Sequence, residues 1–421
     1  MTNQINTNKV ERAILVGVIH GKLDEQIIDE HLGEMKLLAE TAGAKVVGRI
    51  TQRLNKINPT YFVGKGKATQ IIEQGKELNV DLIIFDEDLT PAQTKNYQTL
   101  SNKIKVIDRS ALILDIFQKH AKTKEAKTQV ELAHLQYLLP RLTKMWTHLE
   151  RQMGGIGTRA GAGETQIEVD RRLIGQRITK LKKDLLKIDK ERNIQSKGRK
   201  DKFRVALVGY TNAGKSTLMN AITDANVYIR DQLFATLDTT IRPVHIDNEL
   251  EFLLSDTVGF IRKLPHHLVA SFRSTLQEVK QADLILIVLD AAAPQILEHF
   301  NTINKVLKDL TANEIQSIIV LNKIDAIQND DKIAYLKRNF PNSVLISAKD
   351  RLRIDNLLQK IKFIIDQGFI TAEVNFTFAE AKETSAAQIG VTVLNRDYHD
   401  NGVRLKIRGP KKRINQILGN Q

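Results

Sequence analysis

The chain has 421 residues, with 42% hydrophobic and 27% charged side chains, no cysteine and a formal net charge of +14. This composition is typical of a globular protein of about two to four domains and excludes disulfides and thiolate metal sites. The longest apolar run, Leu284–Leu289, is too short to span a bilayer and the polar N-terminus lacks a signal-peptide core, so we expect a cytoplasmic protein without membrane insertion.

Residues 1–121 alternate strand-like and helix-like segments, which predicts a small α/β domain with a mostly parallel sheet. Strands are predicted at Ala13–Ile19, Ala44–Gly48, Asp81–Phe85 and Lys105–Ile107, and helices at Gln26–Ala42 and Arg109–His120. The segment Val63–Ala68 contains Gly-Lys-Gly and opens a helix. It is predicted to be a tight turn, with a phosphate site as the alternative.

Two apolar seams with alternating three- and four-residue steps predict an antiparallel helical hairpin over residues 122–200. The seams are Leu132, Leu135, Leu139, Leu142, Trp146 and Leu149, followed by Ile167, Ile174, Ile178, Leu181, Leu185 and Ile188. Pro140 should kink the first helix or begin its second half. Five glycines within Met153–Gly163 predict a mobile tip. The basic residues beside it fit either nucleic-acid contact or a plain flexible linker.

Gly209–Ser216 matches the P-loop pattern G-x-x-x-x-G-K-[ST] at every fixed position. An apolar strand, Phe203–Val208, precedes it, and a helical segment, Thr217–Ile222, follows it. A strand, a glycine turn and a helix N-terminus direct backbone N–H groups at one point that suits a polyphosphate. Lys215 would reach the β- and γ-phosphates, and the Ser216 hydroxyl would bind Mg²⁺.

The sequence Asn322-Lys323-Ile324-Asp325 follows the apolar strand Ser317–Leu321 and predicts guanine recognition. The Asp325 carboxylate can accept hydrogen bonds from N1–H and the 2-amino group of guanine, which adenine lacks. Asn322 would contact the other edge of the base, and the Lys323 stem would lie along the ring. The backbone of Ser347-Ala348-Lys349 would face the guanine O6. The sequence therefore predicts a protein that binds and hydrolyses GTP.

The segment Asp256–Gly259 ends the strand Leu250–Ser255. Asp256 is placed to hold Mg²⁺ through water, and the Gly259 N–H to sense the γ-phosphate. The next residue is Phe260, where Ras-type enzymes have a glutamine that orients the attacking water. Because phenylalanine has no donor or acceptor, we expect slow intrinsic turnover and stimulation by a partner.

Residues 369–421 alternate strand, helix, strand, strand and helix, which predicts a small α+β C-terminal domain. The fold class is therefore α/β, with four domains. They are the N-terminal α/β domain 1–121, the helical hairpin 122–200, the P-loop GTPase domain 201–368 and the C-terminal domain 369–421. Residues 1–121 contain no second P-loop, which argues against an independent ATP-binding enzyme there.

Four segments make the chain resemble the HflX family of translational GTPases. They are Gly154–Arg159 with Gly163–Arg172, the P-loop, Leu233–Asp238 and Asp256–Arg262. The resemblance implies a monomeric GTPase of the stress response that binds the large ribosomal subunit and its rRNA and splits or rescues stalled ribosomes. The alternative is a GTP-regulated RNA-binding factor in large-subunit assembly. Ala160–Gly163 and Thr239 depart from the family pattern, where Gly-Pro-Gly and Pro are common.

Leu233–Asp238, switch I, should supply a second Mg²⁺ ligand, and we assign this role to Thr236, with Thr239 and Thr240 as alternatives. The switch II helix should run from His267 to Lys280. Asn212 could hold a K⁺ ion between phosphates, or could cap the loop through its own backbone.

The predicted site for GTP or GDP has six parts. They are Gly209, Tyr210, Thr211, Asn212, Ala213, Gly214, Lys215, Ser216 and Thr217; Phe234, Ala235 and Thr236; Asp256, Thr257, Val258 and Gly259; Asn322, Lys323 and Asp325; Ser347, Ala348 and Lys349; and Mg²⁺. Lys215, Thr236 and Gly259 are predicted to act in catalysis, and Ser216, Thr236 and Asp256 to hold the metal.

Overall fold

The structure is a computed structural model. It describes residues 10–21, 24–101, 103–152, 166–196, 202–223, 233–234, 239–246, 250–263, 277–388, 390–399 and 401–419. They form two compact units. The first draws on Met1–Ile188, Arg230–Asp238 and Arg262–Arg273, and the second on Asp189–Ile229, Thr239–Ile261 and Ser274–Gln421. The division into four domains stays a prediction.

A four-stranded, all-parallel sheet forms the centre of the first unit, in the order β2-β1-β3-β4. Its strands are β1 (Arg12–Ile19), β2 (Lys45–Arg53), β3 (Leu82–Phe85) and β4 (Lys105–Asp108). The parallel sheet confirms the α/β prediction. Strand β2 is longer than the predicted Ala44–Gly48 because it pairs with the whole length of β1, across a bulge at Ala13/Ile14.

Four helices surround this sheet: α1 (Glu25–Thr41), α2 (Lys65–Glu77), α3 (Pro91–Leu100) and α4 (Arg109–His120). Helix α1 begins where the Asp24 carboxylate accepts the Ile27 N–H at 2.8 Å. Helix α2 begins at the predicted glycine turn, where Gly64 N–H donates to the Gln52 side chain at 3.0 Å. The apolar faces of α2 and α3 pack with the strands in one hydrophobic core. This packing fixes the sheet and so positions its carboxyl edge.

The helical hairpin consists of α5 (Lys124–Gln152) and α6 (Gln166–Ser196). Leu132, Ile178 and Leu181 are buried together, and Leu135, Leu139, Ile174 and Leu185 pack against them. These parts of the two seams therefore meet as their spacing predicts, whereas the side chains of Trp146, Leu149 and Ile167 lie outside the described part. Helix α5 is continuous through Pro140, so no separate second half of the helix begins there, and the predicted kink stays a prediction. The glycine-rich tip lies outside the described residues.

The second unit contains a six-stranded sheet in the order β10-β9-β8-β5-β7-β6. Its strands are β5 (Phe203–Gly209), β6 (Thr240–Ile246), β7 (Leu250–Asp256), β8 (Leu284–Asp290), β9 (Ser317–Asn322) and β10 (Val344–Leu345). Only β6 runs antiparallel to its neighbour. The described helices are α7 (Lys215–Thr223), α8 (Gln277–Lys280), α9 (Ile296–Asp309), α10 (Asp330–Asn339) and α11 (Ile354–Gly368). Helix α8 is the end of the predicted switch II helix, whose residues 267–276 lie outside the described part.

The C-terminal residues form an antiparallel sheet in the order β11-β13-β12 with its own apolar core. The strands are β11 (Phe369–Thr377), β12 (Thr392–His399) and β13 (Gly402–Pro410), and the helices are α12 (Ala381–Ala387) and α13 (Lys411–Leu418). The predicted order of elements is correct. In the part of the chain that the structure describes, no helix is both long and apolar enough to cross a membrane.

Candidate functional site

Two glycines of the P-loop are required by close packing. A Cβ on Gly209, the last residue of β5, would lie 2.4 Å from the Val288 carbonyl oxygen on the neighbouring strand β8. Gly214 has φ of +89°, and a Cβ there would lie 2.2 Å from Asn322 Nδ2. Only glycine combines that backbone angle with that approach. The loop then enters α7, whose first residue is Lys215.

Lys215 is buried at the start of α7. Its ammonium donates to the carbonyl oxygens of Gly209 at 3.1 Å and Tyr210 at 3.0 Å. Burial lowers the pKa of Lys215 to about 8, although the Asp256 charge acts in the opposite direction. The residue is therefore a cation that this environment stabilises poorly and that a nearby polyanion would stabilise.

Ser216 and Asp256 lie together, as the sequence predicts. Ser216 Oγ donates to Asp256 Oδ2 at 2.6 Å, and Asp256 is almost fully buried at the carboxyl end of β7. The next residue, Thr257, donates its hydroxyl to the Leu207 carbonyl oxygen at 2.7 Å. This bond fixes the backbone immediately after Asp256 against the strand that leads into the P-loop.

Gly259 and Phe260 lie against the P-loop. Phe260 N–H donates to the Gly209 carbonyl oxygen at 3.0 Å, and Thr211 N–H donates to the Phe260 carbonyl oxygen at 2.7 Å. A Cβ on Gly259 would lie 2.9 Å from Thr211 Cα and 3.0 Å from Lys215 Nζ. The Phe260 side chain is buried, with 3% of its surface exposed. It therefore packs inside the protein.

Asn322 joins two loops of the predicted site. Its Nδ2 donates to the Ala213 carbonyl oxygen at 2.9 Å, and its Oδ1 accepts the Ala348 N–H at 2.9 Å. The side chain is 2% exposed. In this structure the amide thus holds the P-loop and the Ser347–Lys349 loop in fixed relation. Its predicted contact with the base stays a prediction.

The other base-loop residues lie near this link in the sequence, and two of them, Asp325 and Lys349, are exposed. Lys323 has a left-handed φ of +65° and pairs with Asp290 at 2.9 Å. Asp325 lies in the short 3₁₀ turn Ile324–Ala326 and is exposed. Ser347 accepts the Asp350 N–H at 3.1 Å, which closes the loop that carries exposed Lys349.

The remaining predicted residues are placed as follows. The Tyr210 ring stacks on His299 of α9, with the ring centroids 3.9 Å apart and an angle of 13° between the ring planes. Asn212 is exposed and has a φ of +60°. Ala213 and Val258 are buried, and Thr217 is half-buried in α7. Phe234 lies in the first unit, 2% exposed and edge-on to Phe117 at 4.5 Å. Its ring is therefore committed to that packing. Ala235 and Thr236 lie outside the described residues.

Sequence reasoning missed three contacts that position the site. They are the two hydrogen bonds of the Asn322 amide, the hydrogen bond of the Thr257 hydroxyl and the stacking of Tyr210 on His299. Asn322 and Thr257 belong to motifs that the sequence analysis recognised. The motifs identified these residues as part of the site but did not predict their hydrogen-bond partners. His299 carries no sequence signal, because it meets Tyr210 only through the fold.

Three family models match successive parts of the chain. The model described as "GTP-binding GTPase N-terminal" matches residues 29–118, and "GTP-binding GTPase Middle Region" matches 120–199. The model described as "50S ribosome-binding GTPase" matches 204–323. A protein named GTPase HflX from Caldanaerobacter subterraneus is 43% identical over 398 residues, which cover 94% of this chain and 90% of that protein.

The chain belongs to the HflX family of GTPases. A second HflX GTPase, from Flavobacterium psychrophilum, is 50% identical over 77% of this chain and 78% of its own length. A solved structure described as "crystal structure of SsGBP and GDP complex" is 28% identical, with a TM-score of 0.47, over 85% of this chain and 99% of that chain. The predicted family, the P-loop GTPase fold and the activity of GTP hydrolysis are confirmed.

Proposed function

We propose that this HflX GTPase binds GTP with Mg²⁺ at the P-loop and uses its hydrolysis to act on the large ribosomal subunit, where it dissociates or rescues stalled ribosomes. The observation that supports the site best is the meeting of Lys215, Ser216 and Asp256 at the N-terminus of α7. A helix N-terminus, a buried ammonium and two oxygen ligands at one place suit a metal-bound polyphosphate.

The residues present fit Mg²⁺. Ser216 Oγ donates a hydrogen bond to Asp256 Oδ2 at 2.6 Å, so two oxygen ligands are adjacent. Mg²⁺ prefers such ligands and keeps several waters beside one or two carboxylates and substrate phosphates. When bound, it would neutralise charge on the β- and γ-phosphates. We assign the further ligand to Thr236 of switch I, as the sequence predicts.

Guanine recognition is assigned to Asp325, which is exposed next to the fixed Asn322. The bonds of Asn322 to Ala213 and Ala348 set the distance between the phosphate loop and the base loops. Such pre-organisation would lower the ordering cost of binding the base and the phosphates together. The Lys323 stem, held by Asp290, would lie along the ring.

Hydrolysis by the free protein should be slow. Phe260 is buried and has no polar side-chain atom, so it cannot orient water. Lys215 and the Gly259 N–H would stabilise charge on the γ-phosphate. Asn212 is exposed on the loop, which is compatible with a K⁺ ligand, and its left-handed φ is compatible with a capping role. Both interpretations of Asn212 stand.

The ribosomal partner is supported by the description of the family model and by charge. Eight basic residues are exposed among the described side chains of helix α6: Arg171, Arg172, Arg177, Lys180, Lys182, Lys183, Lys187 and Lys190. A basic surface of this kind suits RNA phosphates, and binding through it should weaken steeply as salt rises. Arg177 also pairs with Glu131 at 2.6 Å.

Sedimentation tests the proposal. The chain with a non-hydrolysable GTP analogue and intact ribosomes should give free subunits, whereas the chain with Lys215→Ala should not. Intact ribosomes that remain unsplit, with the chain bound to isolated large subunits, would favour the assembly-factor alternative. The absence of both splitting and large-subunit binding would refute the proposed partner.

A further inference from the structure

Thr211, the third residue of the P-loop, has a buried hydroxyl group. The residue is 7% exposed, and its Oγ1 makes no hydrogen bond with any group in the part of the chain that the structure describes. Burying a hydroxyl without a hydrogen bond costs free energy, and folded proteins contain few such groups. This cost is understandable if the partner of the hydroxyl belongs to a bound molecule.

The backbone N–H of Thr211 is already used inside the protein. It donates to the Phe260 carbonyl oxygen at 2.7 Å, and the Phe260 N–H donates to the Gly209 carbonyl oxygen at 3.0 Å. These two bonds join the P-loop to the residues after Asp256 as a short parallel bridge. The hydroxyl is therefore the hydrogen-bond donor that Thr211 can still offer to a ligand.

The Thr211 side chain lies beside the two groups that we assign to the γ-phosphate, the Lys215 ammonium and the Gly259 N–H. A Cβ on Gly259 would lie 2.9 Å from Thr211 Cγ2 and 3.0 Å from Lys215 Nζ, so the three residues meet around one point. The hydroxyl is attached to the same carbon atom as Cγ2 and is therefore next to that point. All three residues belong to the second unit.

The reaction needs a polar group at this place. Hydrolysis of GTP requires a water molecule that is oriented toward the γ-phosphorus. Phe260, which directly follows Gly259, is buried and has no side-chain donor or acceptor. A threonine hydroxyl donates one hydrogen bond and accepts others, so it can contact a phosphate oxygen and a water molecule at the same time.

We propose that Thr211 is a further catalytic residue, whose hydroxyl donates to a γ-phosphate oxygen and accepts a hydrogen bond from the attacking water. The inference rests on the site proposed above for GTP. The water oxygen forms the new bond to the γ-phosphorus, while the bond to the β–γ bridging oxygen breaks and its electron pair leaves with GDP. Both protons of the water end on the released phosphate. Thr211 orients the water and takes no proton from it.

This role predicts that Thr211→Val makes the protein more stable and less active. Valine has nearly the same shape and keeps the methyl group beside Gly259, but it has no hydroxyl. Because the lost group is unsatisfied in the free protein, the melting temperature without nucleotide should rise by about 2–4 °C. The rate of the chemical step should fall about tenfold to hundredfold, because an oriented hydrogen bond at the reacting atoms is lost. The Kd for GTP should change by less than about threefold.

Single-turnover hydrolysis, with the full chain and Mg²⁺ in excess over GTP, measures the chemical step, and calorimetry measures the Kd. Thr211→Ser retains the hydroxyl and should keep the rate within about threefold of the native value. The matched control is Thr223→Val in α7. The Thr223 hydroxyl donates to the Met219 carbonyl oxygen of its own helix at 2.8 Å, so its loss should leave the rate unchanged.

Three results would overturn the assignment of Thr211. The first is a native single-turnover rate in Thr211→Val, with or without a change in Kd. The second is a rate in Thr211→Ser that is as low as in Thr211→Val. The third is a melting temperature that falls together with the rate in Thr211→Val, which would make the hydroxyl a structural group. In each case native hydrolysis that Lys215→Ala abolishes would still support the proposed function. A native chain without GTP hydrolysis would instead refute the site on which the assignment rests.

Discussion

The pKa of Lys215 makes GTP affinity depend on pH. The ammonium is buried and donates to the Gly209 and Tyr210 carbonyl oxygens, and burial lowers its pKa to about 8. A bound polyphosphate would favour the charged form and raise this pKa again. Binding above about pH 8 must therefore take up a proton.

The magnitude follows from this shift. Below about pH 8 the free protein already carries the charge, so affinity should be constant. Above it, affinity should fall about tenfold per pH unit until the pKa of the complex is reached. From about pH 7 to about pH 9 the loss should be about tenfold, or about 1.4 kcal/mol.

Titration calorimetry at several pH values, in buffers with different ionisation heats, measures both the affinity and the proton uptake. The control is Lys215→Arg, whose guanidinium stays charged throughout. It should bind GTP more weakly and with an affinity that does not change over the same range. An unchanged native affinity between about pH 7 and about pH 9, without proton uptake, would refute the reasoning from burial.

Three further predictions concern the base and the loops. Asp325→Asn should weaken GTP binding and favour xanthosine triphosphate, because an amide can donate to the xanthine O2. Competition binding with the two nucleotides measures this selectivity, and an unchanged selectivity would contradict the assignment of Asp325 to the base. Asn322→Ala removes two buried hydrogen bonds and should cost about 1–3 kcal/mol of GTP affinity, of unfolding free energy, or of both. Calorimetry and thermal melting measure the two quantities, and native values of both would contradict this reasoning. GTP hydrolysis measured in K⁺ and in Na⁺ at equal ionic strength tests whether Asn212 holds a K⁺ ion. Faster turnover in K⁺ supports the cation site, whereas identical rates would contradict it and leave the capping role of Asn212.

Local patterns predicted the phosphate site because its geometry is local. Gly214 adopts a left-handed backbone angle, and Lys215 begins a helix directly after it. These constraints involve residues that are adjacent in the sequence, so the motif could be recognised together with the strand before it and the helix after it. The same holds for the hairpin, where the spacing of Leu132 and Leu181 within their seams matches the observed packing.

Some elements were missed although a signal was present. Helix α3 begins with Thr90-Pro91 and has Gln93 at its third position, and the structure shows a capping box there. That combination is a recognisable helix start. Strand β12 extends through the polar residues Asn395–His399, because pairing with β13 rather than hydrophobicity sets its length.

Other features had no local signal. Lys263 Nζ donates to Asp86 Oδ2 at 2.9 Å, but the two residues are 177 positions apart and nothing in either neighbourhood indicates the other. The ring of Phe234 packs edge-on to Phe117 of α4, and this contact had no signal in the sequence, whereas its predicted place beside the nucleotide stays a prediction. Sequence spacing determines which residues share a helix or a turn, whereas such contacts depend on how distant segments pack.

The central claim is tested most directly by the rate of GTP hydrolysis by the purified chain with and without large ribosomal subunits. We predict turnover near about 10⁻³ s⁻¹ for the chain alone and a marked increase with the subunits, which Lys215→Ala abolishes. Equal rates in the two conditions, or hydrolysis that survives the loss of Lys215, would contradict the account.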